Sequence, residues 1–226
     1  MTISEYIVNF GINFNYYDNT YENVPIKILK YLQNIDKGVF VEIGAHNGIF
    51  QSNTKILEDC GWKGLLIEPS SKLFEDCKIN RKCFVERYAL VSDDYTEQFI
   101  DSDNTGENLR NNAGVFSMGP ESSEKCPAIS FNKLNKKYMF KNIDFMSIDV
   151  EGYELEVIKG IDLEKISIQF LVIEINNRFY SLEDMNQFLF SKGYSEPINI
   201  SNFTKLNCPT WPGTHQDYLY IKKWNT

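Results

Sequence analysis

The feature that most constrains this chain is a buried strand, Val39-Phe40-Val41-Glu42-Ile43, that breaks at Gly44 and is followed by a second, Leu65-Leu66-Ile67, that breaks at Glu68-Pro69. Between them Ile49, Asn53, Ile56, Leu57 and Cys60 recur at helical spacing, with Gly61 as a stop signal. Continuous apolar strands joined by helical crossovers pair in parallel and need cover on both faces. Such sheets bind ligands beyond the carboxyl ends of their strands.

The same alternation continues along the chain. Upstream, Asn23 and Pro25 suit the cap and first turn of a helix with Ile28, Leu29 and Leu32 on one face. Downstream, Ser70 or Ser71 can cap a helix containing Leu73, Phe74 and Cys77. A third strand is expected over residues 84–91, ending at Ser92-Asp93-Asp94. A fourth, Phe145-Met146-Ser147-Ile148, precedes Asp149 and a helix through Leu155, Val157 and Ile158 that stops at Gly160. A fifth, Phe170-Leu171-Val172-Ile173, precedes Glu174. Ser181-Leu182-Glu183-Asp184 resembles a capping box opening a helix with Met185, Phe188 and Leu189, closed by Gly193. Tyr218-Leu219-Tyr220-Ile221 is a last strand. Residues 101–127, rich in Asn, Ser, Gly and Asp, are too long for an ordinary connection and are read as an acceptor-site lid.

The 226 residues, 42% hydrophobic, suffice for one core, so a single domain is expected over 1–226, with a helical lead-in over 1–37 and a catalytic core over 38–222. A net charge of -8 without a basic run argues against a nucleic-acid partner, whose backbone selects Lys and Arg. No basic-then-apolar leader and no run of the roughly 20 apolar residues that span a bilayer is found, so no membrane association and a cytoplasmic location are expected. The five cysteines Cys60, Cys77, Cys83, Cys126 and Cys208 include no C-x-x-C pair and are read as reduced, partly buried thiols. The sequon at Asn202 is read as unmodified.

Candidate site residues cluster at strand ends. In Glu42-Ile43-Gly44-Ala45-His46-Asn47-Gly48, Gly44 and Ala45 let backbone approach a ligand, and Gly48 frees the expected helix start. Glu68, 24 residues beyond Gly44, can accept both hydroxyls of a ribose. The loop lacks G-x-G-x-x-G, because His46 stands third, so it suits an adenosine joined to an amino-acid tail better than a pyrophosphate. Glu42 can then meet the ammonium end.

On segments 41–48, Ser52-Asn53-Thr54, 61–69, Asp149-Val150-Glu151-Gly152-Tyr153-Glu154 and 217–221, the chain resembles the FkbM family of S-adenosylmethionine-dependent methyltransferases over residues 38–222. The resemblance implies a Rossmann-like α/β fold with a seven-stranded, mostly parallel sheet. It implies S-adenosyl-L-methionine held by Glu42, Gly44, Ala45, His46, Asn47 and Gly48, by Glu68 on the ribose, and by Ser92 and Asp149. O-methylation of a sugar, glycan or other small hydroxyl acceptor is the expected reaction. Methyl transfer to nitrogen or carboxyl, or a non-catalytic binding module, are the alternatives.

Asp149 and Glu151 follow the fourth strand, where the transferred methyl is expected, and His215 lies in the loop before the last strand; these three are the candidate bases. Alternatively, Asp149 caps a strand, Glu151 is a first-turn helix acid and His215 an ordinary loop residue. Glu154 and Glu156 are read as solvated or packing residues. Phe179, Tyr180 and Trp211 are candidate walls of an acceptor pocket, or core and rim packing. Glu174, Asn176 and Asn177 with Asp149 form the set that can hold a divalent cation, although a metal-free site is expected.

Overall fold

The structure, a computed structural model, describes residue 3 and residues 24–101, 125–201, 203–206, 209 and 212–223. Helix α1 (Val24–Leu32) buries Val24, Ile28, Leu29 and Leu32. Strand β1 (Val39–Ile43), helix α2 (Lys55–Asp59), strand β2 (Lys63–Ile67) and helix α3 (Ser71–Asn80) follow. Ser70 caps α3, its hydroxyl accepting from the Leu73 amide. Next come β3 (Phe84–Glu86), β4 (Ala89–Val91), β5 (Phe99–Asp101) and β6 (Lys125–Ser130), then helix α4 (Phe131–Tyr138). Strand β7 (Asn142–Ile148), helix α5 (Glu154–Lys159), β8 (Ser167–Asn176), helix α6 (Leu182–Ser191), β9 (Ile198–Asn199) and β10 (His215–Ile221) complete the order. The capping box expected at Ser181 is present, with Asp184 as its return partner.

Seven strands form one sheet in the order β3-β2-β1-β7-β8-β10-β9. Strands β3, β2, β1, β7 and β8 run parallel; β10 is antiparallel to both β8 and β9. In register, Phe40 lies beside Phe145 and Phe145 beside Phe170. Alternation of side chains divides the apolar residues between two cores. On one face Val41, Ile43, Met146, Ile148 and Ile173 pack against Phe131 and Leu134 of α4, Val157 and Ile158 of α5, and Met185 and Leu189 of α6. On the other, Phe40, Leu66, Phe145 and Leu219 pack against α1, α2 and Cys77 of α3. The helices therefore cover both faces, which is why these strands carry so few polar residues.

Several expectations change. The strand read over 84–91 breaks after Glu86: β3 stays beside β2, whereas β4 leaves the main sheet and pairs with β6 in a three-stranded sheet, β4-β6-β5. Arg87 holds the break, donating to the Pro69 and Lys125 carbonyls. Gly160 fixes β4 from beneath, since a Cβ there would lie 2.1 Å from the Val91 carbonyl oxygen. The helix expected from Ile49 is confined to Lys55–Asp59. Residues 45–54 turn instead, because Asn47 Oδ1 accepts the Ile49 and Phe50 amides and Glu42 accepts the Asn53 amide.

Strand β6 begins inside the stretch read as irregular, and β9 was not anticipated; residues 102–124 of the expected lid lie outside the described residues, as do Trp211, Asn202 and Cys208. The other four cysteines are free thiols, three of them buried. No helix among the described residues is long and apolar enough to cross a membrane.

Candidate active site

The carboxyl ends of β1, β2 and β7 meet at Gly44. Its amide donates to the Ile67 carbonyl, and the Asp149 amide donates to the Ile43 carbonyl. Gly44 has φ +83°, and a Cβ there would stand 1.7 Å from the Asp149 carbonyl oxygen, so no other residue fits without parting β1 from β7. Over this junction opens a cleft lined by apolar groups with a few convergent polar ones, the form small-ligand sites take. Its lining runs from Glu68, Pro69 and Leu73 on the β2 side, across Gly44, Ala45 and His46, to Asn53, Ser147, Asp149 and Glu151 on the β7 side.

At the β2 end, Glu68 is 4% exposed, and its oxygens accept the His46 amide at 2.8 Å and the Ser70 amide at 3.0 Å. A carboxylate offers about four acceptor sites, the kind of group a vicinal diol bonds. His46 has φ +50°, and its ring lies 5.3 Å from that of Phe50 on the exposed rim.

The floor rests on Glu42, which sequence reasoning directed at the ligand. Its carboxylate is engaged from within: it accepts Ser52 Oγ at 2.8 Å, the Asn53 amide at 2.6 Å and Thr54 Oγ1 at 2.7 Å. Arg81, which the sequence did not single out, completes the group. Its guanidinium bonds Glu58 at 2.9 Å and the Gly48 carbonyl at 2.9 Å, and lies 3.5 Å from Glu42. Burial opposes the charge on Glu58, but Arg81 holds its carboxyl below the usual range. Gly48 is packed rather than ligand-facing: its Cβ position lies 2.8 Å from Arg81 Cγ, and the residue does not line the cleft. Asn47 likewise turns inward to the Ile49 and Phe50 amides, and Ser92 lies below the β4 turn, where it bonds Asp94.

At the β7 end Asp149 and Glu151 both reach the cleft. Glu151 is not in a helix; it has φ +58° and is exposed. Glu154, read as a solvated or packing residue, is fully buried and is the hub of the turn: it accepts the Val150 and Gly152 amides and the Tyr180 hydroxyl. One oxygen each from Asp149, Glu154 and Glu174 lies within 4.8 Å of the others. Burial, then the neighbouring acids, raise the Asp149 carboxyl well above the ordinary range and push Glu174 up to about 11. Asp217, in register with Glu174 on β10, is pushed up by burial to about 7. Such clustered acids hold protons that separate carboxylates would lose. Of the expected cation set, Asn176 Oδ1 instead accepts the Arg178 amide and Asn177 is exposed.

His215 does not lie in a loop before the last strand but opens β10, in register with Asn176, and it lines a different cavity, with Ile175, Leu182 and Tyr218; burial, then Arg178, lowers its pKa. Phe179 packs over Gly152, whose Cβ position would lie 2.1 Å from its ring, and Tyr180 is tied to Glu154 and the Glu174 carbonyl. Both aromatics are packing residues rather than walls of this cleft.

Two outcomes follow from these groups. Arg81→Met should cost about 3 to 5 kcal/mol in urea denaturation, because it leaves Glu42 and Glu58 as buried charges without a partner. Arg81→Lys should recover little of it, since one ammonium cannot replace the planar fork. For Asp217, the folded pKa of about 7 lies above the unfolded value of about 4, so the folded state binds the extra proton. Its contribution is full below about pH 4 and is lost as pH rises to about 7. Asp217→Asn should therefore flatten the fall in stability across that window, measured by denaturation at a series of pH values.

Among solved structures, the METTL16 MTase domain superposes with a TM-score of 0.50 at 14% identity, over 92% of this chain and 68% of that one. A TehB-like S-adenosylmethionine-dependent methyltransferase from Corynebacterium glutamicum gives 0.47 at 9% identity over 88% of each chain, and M. capricolum TrmK, solved with S-adenosyl-homocysteine, gives 0.48 at 13% over 88% and 67%. No match was found among curated protein sequences. The architecture is the class I methyltransferase fold. Residues 42–196, more than half of the chain and including both ends of the cleft, match the family model "Methyltransferase FkbM domain", and the chain therefore belongs to the FkbM family of methyltransferases.

Proposed function

We propose that the protein transfers the methyl group of S-adenosylmethionine to a hydroxyl of a small polar acceptor, a sugar or glycan. The observation that carries this reading is the pairing, in one cleft, of Glu68 at the β2 end with the raised carboxyl of Asp149 at the β7 end. Glu68 is the carboxylate suited to the ribose hydroxyls, and the backbone at Gly44 and Ala45 leaves room for the sulfur and its amino-acid tail. The methyl is then presented on the Asp149 side.

In the transfer, an acceptor oxygen forms a bond to the methyl carbon as the carbon–sulfur bond breaks, and S-adenosylhomocysteine leaves. Holding the two reactants in line supplies up to about 7 to 11 kcal/mol. The hydroxyl proton must also go somewhere. A carboxylate of ordinary pKa is a weak base for it, whereas burial and neighbouring acids make ionised Asp149 a stronger one. Of the three candidate bases Asp149 is thus favoured, Glu151 stands beside it at the rim, and His215 belongs to another cavity.

We read the acidic cluster as one in which Glu174 keeps a proton and Asp149 exchanges one with the acceptor, rather than as a cation site. Glu154 is committed to the turn by three hydrogen bonds, so it serves the fold of this segment rather than an ion. Exhaustive EDTA treatment should leave the turnover rate unchanged; loss of activity restored by magnesium would replace this reading with a cation site.

The acceptor is found by screening nucleotide sugars and free glycosides for a mass gain of one methyl group. With an acceptor in hand, Asp149→Asn should lower kcat by about 10²- to 10⁴-fold, the usual share of a general base. Glu68→Ala should instead weaken cofactor binding by about 1.5 to 3 kcal/mol in calorimetry. Wild-type kcat in Asp149→Asn, Glu151→Gln and His215→Ala alike would mean that no base is needed and would favour a nitrogen or carboxyl acceptor.

A further inference from the structure

Asn53 is 8% exposed and lines the cleft at its β7 end. Two of its polar groups are committed: the backbone amide donates to Glu42 at 2.6 Å, and Nδ2 donates to Ser147 Oγ at 2.9 Å. These bonds fix the plane of the side-chain amide. Its remaining polar atom, Oδ1, is buried and meets no donor. A buried acceptor without a partner destabilises the protein, so an acceptor left this way beside a cleft calls for a donor from the ligand.

The surroundings say what kind of donor. Glu42, Asp149 and Glu151 line this end, and no Lys or Arg lines the cleft among the described residues. A carboxylate or phosphate would find no Lys or Arg in this lining to pair with. A cationic N–H donor meets the reverse. The distance also fits: Glu68 ends β2 and Ser147 lies on β7, with β1 between them. Two strand spacings are roughly 10 Å, within reach of an amino-acid chain carried on a ribose-linked sulfur.

We infer that Asn53 Oδ1 accepts a hydrogen bond from the ammonium group of the cofactor's amino-acid tail and thereby sets the direction of the sulfur. This rests on the cofactor reading above. The side chain must be an amide: Nδ2 anchors it to Ser147, and an aspartate would add a charge beside Glu42. Glu42 then acts on the tail indirectly, by holding the Asn53 backbone.

The test compares three ligands by calorimetry: S-adenosylhomocysteine, its deamino analogue with the carboxylate retained, and 5′-methylthioadenosine, which lacks the tail. Wild-type protein should bind the deamino analogue about 10- to 100-fold more weakly than S-adenosylhomocysteine, the range for a charge-assisted hydrogen bond. Asn53→Ala should lose a similar factor toward S-adenosylhomocysteine while holding methylthioadenosine within about twofold, and the deamino analogue should no longer be penalised. Equal wild-type affinity for S-adenosylhomocysteine and its deamino analogue overturns the assignment without any variant, so a misfolded Asn53→Ala does not spare it. Failure of wild-type protein to bind any of the three overturns the cofactor reading as well.

Discussion

The β1–β2 half of the ligand end of this sheet depends on one buried cation. Arg81 follows α3, yet its guanidinium is fully enclosed between Glu42 of β1 and Glu58 of α2, with the Gly48 carbonyl and the Ser52 and Thr54 hydroxyls around it. Glu58 also accepts the Lys82 and Cys83 amides, so the same group fixes the approach to β3. An isolated charge this deep would be prohibitive; paired twice and hydrogen-bonded on every side, it becomes a clamp whose geometry the neighbouring loop must follow. That loop carries Asn53 and Ser52 into the cleft.

The β7 side is held differently. There the close pass of the Asp149 carbonyl against Gly44 locks two strands together, and Glu154 gathers the turn that follows by accepting its amides. Anionic Glu42 with its cation lies under one half of the cleft, and a group of acids that retain protons lies under the other. The two halves thus present different chemistry to one ligand, hydrogen-bond order on one side and proton affinity on the other.

What could be read from the sequence was whatever is local. The strands that stop before Gly44, Glu68 and Asp149 announce themselves by apolar runs ended by a turn or an acid, β8 shows its apolar run but continues past Glu174 to Asn176, and the capping box at Ser181 is complete within four residues. Arg81 gave no such signal, because it lies 39 residues from Glu42 and looks like the solvated end of a helix. Glu154 is a related case: its spacing fits either a solvated or a packing position on a helix, and only the fold of the preceding turn and Tyr180, 26 residues on, reveal it as an interior acceptor. Asn53 stood within a motif of the family, but its orphaned oxygen depends on Ser147, 94 residues away. The broken third strand is another such case, since β4 leaves the sheet to meet β6 some forty residues later.

The insertion of β10 between β8 and β9 also governs how the molecule can be made. Strand β8 lies in the middle of the finished sheet, but its partner on that side is supplied by residues 215–221, and β9 has no other strand to pair with. During synthesis, the parallel half of the sheet can assemble while the apolar edge of β8 still waits for a strand about forty residues further along. An unpaired edge of this kind is a template for any extended segment that reaches it first. A chain in which β10 has not docked therefore exposes an aggregation-prone edge, which the docking of β10 closes.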